Sequence, residues 1–152
     1  MDEGSKAPAA PPEPVGDGVS VEFEDRMSDS DALMWAIEKD PMLRSTITTA
    51  VVLDGPFERK RLHRTFERAS RVVPRLRQRV RSNPLSLAPP RWEVDPNFDL
   101  RYHLRSARAV GAGTTADLLS MAAPVAMQGF DRARPLWEAT VVDGLQDGRC
   151  AI

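Results

Sequence analysis

The side chains that could perform acid–base or nucleophilic chemistry in this sequence are two histidines and one cysteine. His63 lies in an arginine-rich stretch and His103 lies forty positions further on, and neither has a partner at a spacing that would orient it as a general base. Both also fit a solvated or packed, hydrogen-bonded role. Cys150, in a short apolar segment, is expected to be an inert core thiol. The sequence therefore supplies no candidate catalytic residue.

Other common reaction motifs are also absent from the sequence. It contains no glycine-rich phosphate loop, no G-x-S-x-G nucleophile elbow and no His, Cys or acidic cluster at metal-ligand spacing. We therefore predict no metal site and no bound cofactor. A lone cysteine also excludes an intramolecular disulfide scaffold.

The charge distribution is strongly asymmetric although the net charge is only −1. Residues 1–40 hold 11 acidic and 3 basic side chains, whereas residues 58–81 hold 10 basic and 2 acidic ones. Three interpretations of the basic stretch remain open: a solvated helix and strand face, attraction to an anionic partner such as cofactor phosphates or lipid headgroups, and nucleic-acid binding. Because Phe57 and Phe66 fall on the apolar side, stacking aromatics do not interleave with the arginines, and we expect no nucleic-acid partner.

Composition indicates one soluble globular domain of 152 residues, with 41% apolar and 28% charged residues. No apolar run approaches the roughly 18 residues of a membrane span, and the N-terminus has no secretory signal. A cytoplasmic location is the default expectation. Residues 1–26 form an acidic, proline-rich stretch that is predicted to be a disordered tail, and the ordered domain is predicted over residues 27–152.

Three elements are predicted in the first half of that domain. A helix over residues 31–38 is capped by Ser28 or Ser30 and stopped by Pro41. β-Branched residues favour a strand over residues 45–53. A second helix, over residues 57–73, is the clearest element, with an apolar stripe at helical spacing that consists of Leu62, Phe66, Ala69 and Val73.

The second half is predicted to alternate strands with one helix. Arginines at alternate positions of residues 75–81 indicate a strand with one cationic face, followed by a loop over residues 83–90. A short strand over residues 91–94 leads to an extended segment over residues 95–105. Thr114 and Asp117 form a capping box for a helix that Pro124 should break or kink. Strands over residues 137–143 and 149–152 then flank a turn, so the order α-β-α-β-β-α-β-β indicates an α/β or α+β fold.

Four stretches, taken in order, resemble the bacterial wax ester synthase/acyl-CoA:diacylglycerol acyltransferase family. They are S-D-S-D-A-L-M-W at residues 28–35, P-R-L-R-Q-R-V at 74–80, W-E-V-D-P-N-F-D-L at 92–100 followed by His103, and R-P-L-W at 134–137 followed, after six intervening residues, by G-L. The resemblance covers residues 27–152. It implies acyl transfer from acyl-CoA, as a substrate, to the hydroxyl of diacylglycerol or a fatty alcohol.

The resemblance also implies a fold and a setting. The family fold is similar to chloramphenicol acetyltransferase and other CoA-dependent acyltransferases, with two α/β halves around a tunnel. This chain would supply only the N-terminal half, a mixed sheet with flanking helices. The complete protein would act at the surface of a lipid droplet or of the inner face of the cell membrane, without spanning it.

One part of the family pattern is missing. The catalytic signature H-H-x-x-x-D-G does not occur in this sequence, so no catalytic residue is carried over, and the 152 residues alone are predicted to be inactive. The signature is expected beyond Ile152, in a missing C-terminal half or partner chain. Pro135, Leu136 and Trp137 match the PLW motif and are predicted to bind or brace substrate, although a purely structural core role fits them equally well.

Two alternatives to this function remain. One is a condensation-type acyltransferase of the same superfamily that uses carrier-protein thioesters, although the spacing from P-L-W to G-L favours the first family. The other is a truncated, non-catalytic protein that binds lipid or a partner.

Overall fold

The computed structural model describes residues 25–82 and 88–152. The predicted tail, apart from its last two residues, lies outside the described residues, and so does most of the loop predicted over residues 83–90.

The described chain contains four helices and six short strands. In chain order they are α1 (Asp29–Ile37), β1 (Val52–Leu53), α2 (Arg59–Val72), β2 (Gln78–Arg81), β3 (Arg91–Val94), α3 (Leu100–His103), β4 (Leu104–Arg108), α4 (Thr115–Met127), β5 (Ala139–Asp143) and β6 (Cys150–Ala151). Three 3₁₀ turns lie at Pro41–Leu43, Pro74–Arg77 and Gln146–Gly148.

The strands form a mixed sheet and a separate ribbon. In the four-stranded sheet the order is β1-β6-β5-β4, and β4 runs parallel to β5 in the register Leu104↔Ala139 to Arg108↔Asp143. The other pairs in the sheet are antiparallel. β2 and β3 pair antiparallel as a two-stranded ribbon. A parallel pair needs a crossover connection, and α4 lies in it.

The core lies between α4 and the sheet. Leu118 of α4 packs with Val142 of β5, Ala151 of β6 and Leu145, and all four are buried. Partly buried apolar side chains surround them, namely Ala107, Ala109 and Met121. The apolar face of α4 is therefore what ties the crossover connection to the sheet.

The predicted capping box starts α4. The Thr114 Oγ1 atom accepts from the Asp117 backbone N–H at 3.1 Å, and the Asp117 carboxylate accepts from the Thr114 N–H at 2.9 Å. These bonds, the Thr114 backbone bond foremost, hold the pKa of the Asp117 carboxyl below its usual value. Of the predicted break or kink at Pro124, the break does not occur, because α4 continues to Met127. The proline removes a single backbone donor close to the end of the helix.

The second predicted helix is confirmed as α2, two residues later at its start and one residue earlier at its end. Its apolar stripe is half-buried at Leu62, Phe66 and Ala69, while most of its basic side chains are exposed. The first predicted helix also forms, two residues earlier at its start and one residue earlier at its end. Ser28 rather than Ser30 caps it, accepting from the Asp31 N–H at 3.2 Å.

The strand predicted over residues 45–53 is only partly formed. Residues 52 and 53 pair with β6, and Val51 exchanges two backbone hydrogen bonds of 2.8 and 2.9 Å with Ile152. Residues 45–50 make no ladder within the described chain. β-Branched side chains favour an extended backbone, but a strand also needs a partner, and β6 is only two residues long.

Two further predictions are corrected. Residues 74–77 form a 3₁₀ turn begun by Pro74, so the cationic strand is confined to β2. The segment predicted as extended over residues 95–105 contains α3 and the start of β4. The Asp99 carboxylate accepts from the Arg101 N–H at 2.9 Å and so caps a helical turn that apolar spacing did not reveal.

Candidate functional site

Four aromatic rings stack at the centre of the region that carries the PLW motif. The Trp137 ring lies between Phe66, with centroids 6.0 Å apart, and His103, with centroids 4.6 Å apart. His103 stacks in turn on Phe98 at 5.3 Å, with the planes within 17° of each other. We call Phe66, Trp137, His103 and Phe98 the aromatic stack. It joins α2, α3 and the residues just before β5.

His103 is the most deeply buried member of the stack, with no exposed surface. Its Nδ1 atom lies 2.7 Å from the backbone oxygen of Trp137. Because a carbonyl oxygen only accepts, we assign the proton to Nδ1, where it donates to Trp137. The Nε2 atom is buried without a hydrogen-bond partner in the described chain. Tyr102 packs edge to face against the ring at 5.1 Å, so within the described chain the imidazole is enclosed and has no exposed surface.

The PLW motif makes a second connection through its tryptophan. The Trp137 Nε1–H donates to the backbone oxygen of Leu76 at 2.8 Å, which links the segment before β5 to the turn that follows α2. Pro135 is buried, and Leu136 is half-buried. The motif thus braces two layers of the fold. Its substrate-binding role stays a prediction.

An apolar groove of about 420 Å³ lies beside this brace. One wall is the extended segment of residues 46–51, and the other is the face of α4 that carries Leu118, Met121 and Val125. Thr140 and Val142 of β5 form part of its floor. We call this cavity the groove. Its size falls in the range of about 300–1,000 Å³ that small-molecule sites occupy.

Phe66 connects the groove to the brace. Its ring lines the groove and stacks on Trp137. Among the groove-lining residues the only carboxylate is Glu138, which Arg105 engages at 3.3 Å, and none is a histidine or cysteine. The groove can therefore hold an apolar chain, but it contains no evident proton acceptor for a reaction.

Three of the four arginines predicted to form a cationic strand face pair with carboxylates of the same chain. Arg79 and Arg81 reach Glu93 at 2.8 and 3.1 Å. Arg71 and Arg77 share Glu67 at 2.8 and 3.0 Å. The hydrogen bond from Arg71 is the main reason that the pKa of Glu67 is lowered, and the one from Arg79 does the same for the pKa of Glu93.

The three residues considered for chemistry do not converge. His63 is exposed on α2, His103 is enclosed in the aromatic stack, and Cys150 is buried in β6. The Cys150 Sγ–H donates to the Gly55 oxygen at 2.9 Å, and burial raises the pKa of the thiol. Cys150 is therefore the inert core thiol that the sequence predicted. Across residues 25–82 and 88–152 no cluster of His, Cys, Asp or Glu could hold a metal ion.

Sequence reasoning did not anticipate the aromatic stack or the groove. Phe98 and His103 are close along the chain, but their partners Phe66 and Trp137 come from positions more than thirty residues away. Of the signals in the sequence, only the family motifs include both members of one of these contacts, His103 and Trp137. No pattern in the sequence predicts the groove, because its two walls belong to elements about seventy residues apart.

None of the helices in the described part of the chain combines the length and the apolar character that a membrane span requires.

Comparisons with known proteins agree on one family. A family model described as wax ester synthase/diacylglycerol acyltransferase catalytic domain matches residues 27–152. A putative diacylglycerol O-acyltransferase of Mycobacterium tuberculosis is 42% identical over 135 residues, covering 89% of this chain and 28% of the relative. A probable diacylglycerol O-acyltransferase of the same species is 33% identical over 132 residues, covering 84% of this chain and 48% of the relative.

A solved structure supports the same assignment. The wax ester synthase/diacylglycerol acyltransferase from Marinobacter aquaeolei VT8 superposes with a TM-score of 0.54 and 25% identity, over 67% of this chain and 25% of that one. The predicted fold class, a mixed α/β sheet with flanking helices of the CoA-dependent acyltransferase type, is thereby confirmed. The chain spans between a quarter and a half of the length of these relatives.

Proposed function

Because the chain belongs to the wax ester synthase/diacylglycerol acyltransferase family, we propose that it works as part of an O-acyltransferase. The reaction transfers a fatty acyl group from acyl-CoA to the hydroxyl of diacylglycerol, giving triacylglycerol, or to a fatty alcohol, giving a wax ester. The match of the family model over residues 27–152 carries this proposal. The acyl-CoA is a substrate and not a resident cofactor.

The groove is the part of this chain suited to the acyl group. Its walls are apolar side chains of α4 and residues 46–51, and covering a fatty chain there removes apolar surface from water. The PLW motif supports this site indirectly, because Trp137 stacks on Phe66 and so holds that ring in the groove wall. Pro135, Leu136 and Trp137 then serve substrate binding by fixing the shape of the groove.

The reaction also needs a base that this chain does not supply. The acceptor hydroxyl loses its proton as its oxygen attacks the thioester carbonyl, and the CoA sulfur leaves with the bonding electron pair and is protonated. His103 is enclosed on both ring faces, and His63 lies on the exposed side of α2. The general base must come from residues outside this sequence, so the 152 residues alone are expected to be inactive.

The substrates also indicate where the reaction takes place. Diacylglycerol and fatty alcohols are held in membranes and lipid droplets, so the acyltransferase would act at such a surface from the cytoplasmic side. The partners that complete it are the remaining part of the enzyme and its two lipid substrates.

The first experiment assays the chain alone. Purified protein is incubated with radiolabelled palmitoyl-CoA and either dioleoylglycerol or hexadecanol, and products are separated by thin-layer chromatography. We expect no product above a blank without protein, because losing general-base catalysis alone costs about 10²–10⁴-fold. Product formation by the 152 residues alone would contradict the proposal that the general base lies outside them.

The second experiment asks whether the chain can serve within an acyltransferase. Residues 27–152 replace the matching segment of the 42%-identical mycobacterial relative, with the unaltered relative as the activity control. We expect the chimera to acylate diacylglycerol or hexadecanol from acyl-CoA. A folded chimera that is inactive beside an active parent would refute the proposal. Activity only with acyl-carrier thioesters would assign the chain to the condensation type instead.

A further inference from the structure

Helix α2 carries four cations on its outer side that have no partner among the described residues. They are Lys60, Arg61, Arg64 and Arg68, and all four are exposed. At 3.6 residues per turn, these positions fall within an arc of about 100° on the side of the helix opposite the apolar stripe. None of their side chains forms an ion pair or a hydrogen bond within residues 25–82 and 88–152. We call these four residues the cationic face of α2.

Within α2 the lack of partners is confined to this face, because the other two arginines of the helix are both paired. Arg59 reaches the Asp143 carboxylate at 2.8 Å, and Arg71 reaches the Glu67 carboxylate at 2.8 Å. Arg77, from the turn after the helix, shares Glu67 at 3.0 Å. These carboxylates are therefore already engaged, and the charge of the cationic face is available to an anionic partner outside the described chain.

The shape of the cationic face fits a surface better than a small ligand. Lys60 and Arg68 are eight residues apart, which is about 12 Å along the helix axis, and none of the four side chains lines the groove. Single phosphate groups are bound by donors that converge in a concave site. A convex row of cations can instead bring all its charges against a flat anionic surface at once.

An exposed apolar side chain continues the same side of the helix. Val72 follows Arg68 by four residues, so the two lie on one side of α2, and Val72 is 71% exposed. At a lipid surface the cations can contact headgroups while a neighbouring apolar side chain enters the acyl region. Nucleic acids would instead favour stacking aromatics beside the cations, and the one aromatic ring of α2, Phe66, lines the groove.

We propose that the cationic face of α2 is the surface through which this chain docks on an anionic lipid membrane. The inference rests on the proposed function, because the lipid substrates of that reaction are held in such a surface. Phe66 lies on the opposite side of α2 and lines the groove. Docking through α2 therefore places the proposed acyl site about one helix diameter, or about 10–12 Å, from the headgroups.

Flotation of the intact chain with lipid vesicles tests the proposal. The vesicles contain phosphatidylcholine alone or phosphatidylcholine with about 30% phosphatidylglycerol. The natural chain should bind the anionic vesicles far more tightly than the neutral ones. The R61Q/R64Q/R68Q variant should bind the anionic vesicles about 100-fold more weakly, because each cation near such a surface contributes about fivefold in affinity. Equal binding of the natural chain to both kinds of vesicle would overturn the proposal.

A variant with the same loss of charge elsewhere is the matched control. R44Q/R91Q/R108Q removes three arginines that are also exposed but lie outside α2. Its affinity for the anionic vesicles should stay within about threefold of the natural value, because charges away from the lipid contact are screened by salt. Equal weakening of the two glutamine variants would show that net charge alone governs binding, and the cationic face would then have no special role.

A lysine variant of the same positions separates lost charge from lost structure. R61K/R64K/R68K keeps the cations and should bind the anionic vesicles within about threefold of the natural chain. Near 1 M ionic strength, where the Debye length falls to about 3 Å, binding should disappear for both. Binding that is lost in the lysine variant, or that resists salt, would contradict docking by charge.

Competition distinguishes a lipid surface from a nucleic acid. A single-stranded DNA oligonucleotide is added to the vesicle-bound chain, matched to the vesicles in total anionic charge. We expect the chain to stay on the vesicles, because the oligonucleotide offers no acyl region to Val72 and finds no stacking aromatic. Release of the chain by the oligonucleotide would assign the cationic face to nucleic acid instead.

A fluorescent label reports whether this side of α2 meets the lipid. An environment-sensitive dye is attached through Val72→Cys, while Cys150 is buried and stays unmodified. Its emission should shift to the blue with anionic vesicles, and the same label in the R61Q/R64Q/R68Q background should show no shift. An unshifted label on vesicle-bound chain would overturn the proposal. Neither measurement requires turnover, so failed docking leaves the acyltransferase proposal standing, and an inactive chimera leaves the docking result unchanged.

Discussion

The aromatic stack and the wall of the groove formed by residues 46–51 are linked by Phe66, which stacks on Trp137 and also lines the groove, yet they are held in opposite ways. In the stack, His103 has no exposed surface and Trp137 is fixed by two hydrogen bonds. In the wall, Ile47 is 91% exposed, and among the described residues the backbone is hydrogen-bonded to the sheet only at Val51. One region is close-packed, and the other is an open apolar surface.

This difference in packing assigns the two regions different roles, because the aromatic stack contributes to stability and the groove wall to ligand binding. Stacked rings that are packed inside the fold stabilise it, since their contacts with one another are already made. An apolar wall that packs against nothing gains contacts only when a ligand fills the space beside it. We therefore expect substitutions in the stack to change the free energy of unfolding, and substitutions in the wall to change lipid affinity.

The largest effect is expected for Trp137→Ala. It removes the ring between Phe66 and His103 and the donor to the Leu76 oxygen, so the free energy of unfolding should fall by about 3–5 kcal/mol. Urea denaturation followed by circular dichroism measures this change. Trp35→Ala is the matched control. Trp35 is also half-buried and donates to the Ser82 hydroxyl, but it has no ring partner in the described chain apart from the Arg132 guanidinium.

The comparison would fail if the two tryptophan variants lost the same stability. Equal losses would mean that the stack contributes nothing beyond the burial of one large side chain. A Trp137→Ala protein that keeps its stability but loses lipid binding would instead assign the PLW motif a direct role in the site.

A smaller loss is expected for His103→Phe. The phenyl ring can keep the stacking on Phe98 and Trp137, but it cannot donate to the Trp137 oxygen at 2.7 Å. Leaving that oxygen unpaired should cost about 1–3 kcal/mol in the free energy of unfolding. The exposed His63 is the control, and His63→Phe should stay within about 0.5 kcal/mol. Similar stabilities for both variants would show that the hydrogen bond is not needed.

For the wall, Ile47→Ser should leave unfolding nearly unchanged and weaken the binding of a fluorescent fatty acid. The lost apolar contact corresponds to about 1 kcal/mol, or about fivefold in affinity. Met42→Ser is the control, because Met42 is 89% exposed but does not line the groove. Equal affinities for the two variants would place lipid binding elsewhere in the chain.

The smallest effect concerns Glu67, whose pKa is lowered chiefly by the hydrogen bond from Arg71 and then by the one from Arg77. A carboxyl with a lower pKa in the folded state stabilises the fold above its ordinary pKa of about 4.5, and this contribution is lost as the pH falls through the folded value. Between pH 6 and pH 3.5 the natural chain should therefore lose more stability than Glu67→Gln.

Urea denaturation at the two pH values measures that difference. Glu58→Gln is the control, since Glu58 is exposed and makes no side-chain cap bond at the start of α2. Parallel pH profiles for Glu67→Gln and the natural chain would show that the link between α2 and the turn after it does not depend on this carboxylate.

The elements that sequence predicted correctly are those specified by neighbouring residues. Helix α2 follows from a stripe at helical spacing, and α4 starts where Thr114 and Asp117 can cap each other. The short strand β3 and the turn before β6 also appear where predicted. In each case the determining contacts lie within a few positions of one another, so a linear pattern contains them.

The elements that sequence missed depend on distant partners. Residues 45–50 have strand-forming side chains but no ladder partner within the described chain. Helix α3 depends on a single Asp99 cap inside an alternating apolar pattern, which local spacing assigned to a strand. The same limit applied to the site: motif order identified Trp137, whereas its contact with His103 and its link to the groove through Phe66 required the folded chain.

The position of β6 between β1 and β5 sets an order on how the sheet can assemble during synthesis. β1 pairs only with β6 in the described chain, and their paired residues are about a hundred positions apart. At about 5–20 residues per second, a ribosome adds the missing neighbour roughly 5–20 s after β1 has been made. During that interval the edge of β1 is exposed to other nascent chains. The yield of this sheet in cells should therefore depend on co-translational chaperones or on another way of shielding that edge.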